Sequence, residues 1–188
     1  MDLPLHVHTS RSDVRIRQFE PADEPAVTRL FDASAEWFEF ITGYPPVDGD
    51  VQSLFYSLPE GAEPDDKRVL VVVPLPEEGE VIGLVEAVVR HPDPTSCAVG
   101  LFLIRPDCRR QGLRAAVADA LLGLAAEEGV TLVTATNAVG WTPGDAFLRR
   151  TGFELGEQAL ERGGKVGNRS VGPRERPVVS ARLLLRSA

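Results

Sequence analysis

Residues 101 to 117 read LFLIRPDCRRQGLRAAV, an apolar run, a basic turn and the beginning of a second apolar pattern. Leu101 to Ile104 predict a buried strand, whereas the residues after Gly112 repeat apolar side chains at the spacing of a helix. Between Arg105 and Arg114 there are four Arg and one Asp, a local net charge of +3 in a chain whose net charge is −8. The segment therefore predicts strand, turn and helix, with positive charge collected at the turn.

A helix that begins after a basic turn is suited to bind an anion. Its first backbone N–H groups have no partner within the helix and carry a partial positive charge. Arg109 and Arg110 add charged donors, and Gly112 lets the backbone approach a phosphate without a Cβ atom in the way. The turn is a candidate site for a diphosphate, and a basic turn without a ligand is the alternative interpretation.

Strand and helix patterns alternate along the rest of the chain. Residues 1 to 12 are predicted to form a flexible N-terminal arm, and residues 13 to 188 a single domain. The order of elements mixes an antiparallel first half with βαβ units, which predicts an α/β or α+β fold. Strands are predicted from residue 14 and over 68–74, 81–90, 97–104, 131–138, from 153 and over 178–185, and helices over 23–41, 51–58, 112–128 and from residue 142.

Composition and charge exclude several classes of protein. The chain has 188 residues, 43% of them hydrophobic, which is typical of one globular domain. It has no secretory signal and no membrane span, so we expect a cytoplasmic protein. A net charge of −8 argues against nucleic acid and anionic membranes as partners. Two cysteines and three histidines lack zinc-binding spacing, so no metal is expected.

Two classes of nucleotide-binding protein are excluded because their sequence motifs are absent. Neither GxxxxGK[ST] nor GxGxxG occurs after a predicted strand, which excludes P-loop kinases and Rossmann dehydrogenases. Cys108 lies beside Arg109 in front of a helix, a setting that can activate a thiol, but no histidine is near it in the sequence. A mechanism with a nucleophilic cysteine is therefore not favoured.

The turn and a later helix resemble the GNAT superfamily of N-acetyltransferases. RRQGLR at residues 109 to 114 resembles its acyl-CoA signature R-x-x-G-x-G/A, and AFLRRTGF at 146 to 153 resembles its helix that ends in a Gly-Phe pair. The resemblance covers residues 14 to 160 and implies one domain with a mostly antiparallel sheet of about seven strands flanked by helices. It also implies acetyl-CoA as co-substrate.

The resemblance implies a binding site between two central strands. The backbone of Phe102, Leu103 and Ile104 would bond the pantetheine arm of coenzyme A like an added strand, with the N–H of Ile104 as oxyanion donor. The turn would hold the pyrophosphate. The turn residues concerned are Arg109, Arg110, Gln111, Gly112, Leu113 and Arg114.

Three positions depart from the family's pattern. Arg114 stands where the family has a small residue, and it either reaches the 3′-phosphate or crowds the pyrophosphate. Leu148 stands where the family often has a Tyr that protonates the leaving thiolate. A thiolate with a pKa of about 8.5 can leave without that acid. The family often has an Asn before this later helix. Trp141 stands at that position here, and Asn137 lies four residues earlier; either residue could contact pantetheine.

Glu86 is the candidate catalytic base. It is the one acidic residue within the predicted apolar strand at 81–89, and burial there would favour proton uptake by its carboxylate. An exposed position, or an ion pair with Arg90 or Arg105, is the alternative.

We expect transfer of an acetyl group from acetyl-CoA to the primary amine of a small molecule. Acidic residues near the presumed mouth, Glu36, Glu39, Asp48 and Asp50, favour a cationic amine. Two alternatives are a non-catalytic CoA-binding sensor or interaction module, and a retained fold that does not bind CoA. The basic loop over 161–176 is a candidate to cover a partner subunit in a homodimer.

Overall fold

The computed structural model describes residues 3–10, 12–76, 79–109, 112–161 and 176–185. Eight strands form one sheet in the order β1-β2-β3-β4-β5-β6-β8-β7. The strands are β1 (Leu5–His8), β2 (Asp13–Gln18), β3 (Lys67–Pro74), β4 (Gly83–Val89), β5 (Ser96–Ile104), β6 (Leu132–Ala138), β7 (Glu154–Glu161) and β8 (Arg176–Leu184). The helices are α1 (Glu24–Asp32), α2 (Ala35–Thr42), α3 (Asp50–Tyr56), α4 (Leu113–Glu127) and α5 (Thr142–Arg150).

The sheet confirms the predicted fold class. β5 and β6 are parallel, and the other neighbouring strands are antiparallel. Apolar side chains of one face pack against α1, α2 and α3, and those of the opposite face pack against α4. Alternate residues of β4 show the division, because Leu84 belongs to the α1–α3 side and Val85 to the α4 side.

The N-terminal arm contains an additional strand, which corrects the sequence prediction. Leu5–His8 pairs with β2, and Val7 is buried among the apolar side chains on the α4 side. Four residues with alternating burial are too short a pattern to distinguish from a loop in the sequence alone. The sheet consequently has eight strands instead of about seven.

The predicted single helix over residues 23–41 is two helices. α1 ends at Asp32 and α2 begins at Ala35, with the buried Ser34 between them. Phe31 and Phe38 pack across this break with ring centroids 4.7 Å apart. Because both helices contribute apolar residues to the same core, the apolar repeat continues through the break and does not reveal it.

α5 begins at Thr142, as predicted, but its first turn is held by a residue of another element. Trp141 is the N-cap, Thr142 is already helical, and no side chain caps the helix from that position. Instead, the amide of Asn137 on β6 holds this end of the helix. Gly129 follows α4 with a φ of +85°, a left-handed conformation typical of the residue after a helix.

None of the described helices is both long and apolar enough to cross a membrane. Within the same described ranges, no three His, Cys, Asp or Glu side chains are grouped as metal ligands. The predicted loop over 161–176 lies outside the described residues, apart from the strand ends at Glu161 and Arg176.

Candidate active site

β5 and β6 separate in the middle of the sheet and leave an opening between them. Their parallel pairing runs from Ser96 and Leu132 to Val99 and Ala135, where it ends. Beyond that point β5 stays paired with β4, and β6 stays paired with β8. A cavity of about 330 Å³ occupies the opening and continues beneath α4 and α5.

The backbone of β5 beyond the separation point is partly free to bond a ligand. The N–H of Arg105 donates to Ile82 on the β4 side, and backbone groups of successive strand residues point to opposite sides. Phe102 and Ile104 therefore direct their N–H and C=O groups into the opening. Leu103, by the same alternation, directs its groups to Leu84 of β4 and contributes to the cavity through its side chain.

The turn after β5 brings positive charge to the end of the opening. Arg109 Nε donates to the carbonyl of Ile104 at 3.1 Å, and its side chain lines the cavity. Burial lowers the pKa of Arg109, opposed by the nearby charge of Glu36. Arg105 forms ion pairs with Glu80 and Asp107 and so points away from this role.

Gly112 is the N-cap of α4 and has a φ of +78°, a left-handed conformation that favours glycine. Among the residues that the structure describes, nothing lies within 4 Å of a Cβ atom placed there. Leu113 is buried in the core, which leaves only its backbone N–H for a ligand. Arg110 and Gln111, two further predicted contacts, lie outside the described residues.

Arg114 lies across the α4 side of the opening. Its guanidinium carbon is 3.9 Å from the centroid of the Phe147 ring, and Phe147 stacks on Phe102 with centroids 5.1 Å apart. Burial, followed by the charges of Arg109 and Arg150, lowers the pKa of Arg114 to about 10. Its Nε is buried without a hydrogen-bond partner among the described residues. The three side chains thus form a stack that links α4, α5 and β5.

The position of the family's Tyr carries no acid in this chain. Leu148 is buried and lines the cavity. The nearby Thr151 hydroxyl donates to the carbonyls of Phe147 and Leu148. Cys97 also lines the cavity, but burial raises the pKa of its thiol to about 11, which makes it a poor nucleophile near neutral pH. Burial likewise raises the pKa of Cys108.

Glu86 lies on the α1–α3 side, at the point where β5 and β6 separate. The register of β4 and β5 shifts by one residue there, because Glu86 pairs with Leu101 and Ala87 with Val99. Gly100 is the extra residue, and a Cβ atom on it would lie 2.1 Å from Glu86 Oε2. The missing side chain of Gly100, which lines the cavity, therefore leaves room for the Glu86 carboxylate, and Glu86 itself is not among the lining residues.

Lys67 is the ion-pair partner of Glu86, not Arg90 or Arg105 as the sequence suggested. Lys67 Nζ lies 3.1 Å from Glu86 Oε1, and the two side chains are only 7% and 13% exposed. Lys67 also donates to the carbonyl of Ser57, just after α3. Sequence reasoning missed this residue, although Lys67 is one of only two lysines in a chain rich in Arg.

Asn137 has a structural role in the described residues. Its Nδ2 donates to the Trp141 carbonyl at 2.9 Å and to Asp145 Oδ1 at 2.7 Å. A Cβ atom on Gly144 would lie only 2.2 Å from Asn137 Oδ1, so the absence of a side chain at Gly144 makes room for the amide. The amide thus joins β6 to the first turn of α5, so both of its observed donor contacts are internal.

Aromatic side chains from α2 and the α5 N-cap border the opening. Trp37 and Trp141 line the cavity, and Phe40 packs on Trp141 with ring centroids 5.0 Å apart. Of the aromatic residues in segment 37–40, Phe38 is buried in the core, Trp37 is half-buried and Phe40 is exposed. Of the acidic residues expected at the mouth, Asp50 is buried and accepts the N–H of Val47, whereas Glu36, Glu39 and Asp48 are not buried.

Comparison with known proteins shows to which family this chain belongs. A family model described as the acetyltransferase (GNAT) family matches residues 29–153. This chain belongs to the GNAT acetyltransferase family. The resemblance seen in the turn and in the helix ending at Gly152 is thereby confirmed, and the family's opening between two central strands corresponds to the separation of β5 and β6.

Solved GNAT structures share the fold at low sequence identity. An acetyltransferase from Thermus thermophilus has 19% identity and a TM-score of 0.67, with 96% of this chain and 100% of that chain covered. Spermidine N-acetyltransferase from Vibrio cholerae, in complex with CoA and spermine, has 17% identity and a TM-score of 0.65, with 91% and 95% covered. The ribosomal-protein-S18-alanine N-acetyltransferase from Escherichia coli has 15% identity and a TM-score of 0.63, with 93% and 96% covered.

A search of curated proteins finds no match to this sequence. The structural neighbours act on acceptors as different as a polyamine and a ribosomal protein. GNAT membership therefore leaves the acceptor open, because one fold supports many substrates.

Proposed function

We propose that this chain transfers an acetyl group from acetyl-CoA to the primary amine of a small molecule. The observation that carries the proposal is the Glu86 carboxylate at the point where β5 and β6 separate, opposite the basic turn that precedes α4. A base and an anion-binding turn on the two sides of one opening are what an amine acceptor and a CoA thioester each require.

The opening offers groups that fit coenzyme A. Its backbone donors and acceptors on Phe102 and Ile104 suit the amides of the pantetheine arm, and the N-terminal end of α4 with Arg109 suits the pyrophosphate. A volume of about 330 Å³ lies within the range of small-molecule sites. Coenzyme A supplies the thioester that activates the acyl group.

The proposed reaction is a direct transfer. Glu86 takes the proton of the acceptor ammonium, and the neutral amine attacks the thioester carbonyl. A C–N bond forms and the C–S bond breaks, with the oxyanion facing the N–H group of Ile104. The thiolate leaves and takes its proton from solvent, because Leu148 offers none.

Lys67 forms an ion pair with the proposed base, Glu86. Lys67 Nζ lies 3.1 Å from Glu86 Oε1, and this contact fixes the position of the carboxylate next to Gly100. The acids Glu36 and Glu39 support a preference for a cationic amine, although Glu36 also faces the charge of Arg109.

A CoA-binding protein without turnover is the second candidate. The specific observations that favour it are Leu148 in place of an acid and the stack of Arg114, Phe147 and Phe102 across the α4 side of the opening. Such a protein would bind CoA and release no thiol with any amine.

Thermal unfolding with acetyl-CoA, CoA, ATP and NAD tests the proposal. A ligand at 100 times its Kd adds about 2.7 kcal/mol, which raises the Tm of a domain of this size by roughly 5 to 10 °C. We expect a shift with acetyl-CoA and CoA only, followed by thiol release in a screen of amines. No shift with either would contradict the proposal, and binding without thiol release across the screen would favour the second candidate.

A further inference from the structure

The cavity continues beyond the place that a CoA thioester would occupy. Its upper part lies at Phe102 and Ile104, and its lower part lies under the second half of α4, past the point where β5 and β6 begin to pair. Most side chains of this lower part come from three strands and one helix and are uncharged, and Arg68 of β3, the cross-strand partner of Ala87, also lines the cavity. The uncharged side chains include Ala87 of β4, Val99 and Cys97 of β5, Ala135 of β6, and Leu122 and Ala125 of α4.

Small side chains keep this lower part open. Protein interiors are normally packed to crystal-like density, and α4 follows that rule on its other flank, where Val117 and Leu124 are buried. On the flank that faces the cavity, however, Ala118 and Ala125 line it together with Ala87 of β4 and Ala135 of β6, and Leu121 and Leu122 are the larger apolar side chains of α4 that line it. The space between them remains empty of protein atoms.

The far end of the cavity carries charge. Arg90, just after β4, and Glu128, just after α4, line it there, whereas Arg68 of β3 lies at the level of Ala87. An occupant of the lower part therefore contacts mainly apolar side chains, passes Arg68 and reaches polar groups at its tip. Its other end joins the opening between β5 and β6.

We infer that the lower cavity takes the acyl chain of an acyl-CoA longer than acetyl, with about six to eight carbons. This inference rests on the proposed function, because the chain would enter as part of the thioester donor. From Ala118 to Ala125, α4 advances about 10 Å at about 1.5 Å per residue. An extended chain advances about 1.2 Å per bond, so about eight carbons cover that length. The transfer itself is unchanged: the C–N bond forms, the C–S bond breaks, and CoA leaves as the thiol.

Calorimetric titration with CoA, acetyl-CoA, hexanoyl-CoA and octanoyl-CoA tests the inference on the full chain. Each buried methylene strengthens binding, so we expect the Kd of octanoyl-CoA to be at least tenfold lower than that of acetyl-CoA. Hexanoyl-CoA is expected to lie between them.

Ala125→Phe fills the lower cavity and is expected to abolish the octanoyl preference, so that the two Kd values agree within about twofold. Glu127→Phe, which adds the same side chain at an exposed position of α4, is the matched control and should keep the tenfold preference. Ala125→Leu serves as a smaller filling variant if the Phe variant does not fold.

The outcomes separate this inference from the proposed function. If acetyl-CoA binds and octanoyl-CoA binds no more tightly, the long-chain inference is overturned and the proposed function stands. A preference that survives both filling variants also overturns it, because the chain would then lie elsewhere. If neither CoA nor acetyl-CoA binds, the proposed function and this inference fail together.

Discussion

The α4 side of the opening is built mostly from one segment of the chain, with Phe147 of α5 added to it, whereas the α1–α3 side is built from residues far apart in the chain. Phe102 to Ile104, Arg109 and the start of α4 belong to that segment. The second side joins Lys67, Glu86 and Gly100 from three strands with Trp141 at the start of α5. A sequence motif describes only the first kind of construction.

The difference shows which parts of a GNAT domain carry shared chemistry. Contacts to a diphosphate need only backbone N–H groups and one or two cations in a short turn. Contacts to an acceptor depend on which side chains the sheet register and the first helices bring together. The acceptor side therefore varies more readily than the turn.

Gly112→Glu gives the largest expected effect and acts on the α4 side alone. A carboxylate in front of the helix repels the pyrophosphate, so we expect the Kd for CoA to rise more than 100-fold. The fold should survive, because a Cβ atom at Gly112 meets nothing within 4 Å in the described part of the chain. Gly112→Ala is the control for the positive φ of +78°, whose strain costs about 1 kcal/mol. Unchanged CoA affinity in the Glu variant would refute the placement of the pyrophosphate.

Glu86→Gln acts on the other side and should separate turnover from binding. If Glu86 is the base, kcat falls about 100-fold at pH 7 while the Kd for acetyl-CoA is unchanged. Thiol release with an amine found by screening is the measurement, and Glu127→Gln at an exposed position of α4 is the matched control. Equal turnover in the two variants would remove Glu86 from the mechanism.

Lys67→Met tests the ion pair behind the base. It leaves the mostly buried Glu86 carboxylate without its cation, so we expect a loss of about 3 kcal/mol in the free energy of unfolding, measured with urea. Lys67→Arg keeps a cation at this position, so it should lose much less of the free energy of unfolding than Lys67→Met. The double variant Lys67→Met with Glu86→Gln should lose less than Lys67→Met alone, and an equal loss would mean that the pair does not interact.

Arg114→Met should have the smallest effect of the four substitutions, and it should stabilise the fold. The Arg114 guanidinium is stacked on Phe147, its Nε is buried without a partner among the described residues, and burial lowers its pKa to about 10. Met keeps an apolar contact with the ring without the desolvated charge, so the free energy of unfolding, measured with urea, should rise by about 1 kcal/mol. A lower free energy of unfolding of the ligand-free variant would contradict this and would show that the fold compensates the charge of Arg114.

The sequence was informative where a structure depends on neighbours in the chain. β3, β5, α4 and the glycine after α4 were placed within a few residues of their observed positions. The break at Ser34 was missed because α1 and α2 share one apolar core. Leu103 and Asn137 were predicted to contact coenzyme A, but the backbone of the first faces β4 and the amide donors of the second bond to Trp141 and Asp145. Neither the strand alternation nor the link between β6 and α5 can be read from residue types.

The amino-acid sequence alone determined the strand, the basic turn and the helix of residues 101 to 117, and with them the GNAT family. These features depend on periodicity, local charge and a glycine conformation, which act over a few residues. Only the tertiary structure decided that Glu86 pairs with Lys67 beside Gly100, that Arg114 stacks on Phe147, and that a cavity continues under α4. Each of these depends on a strand register, a bulge or the distance of a helix from the sheet, which arise from the packing of segments far apart in the chain.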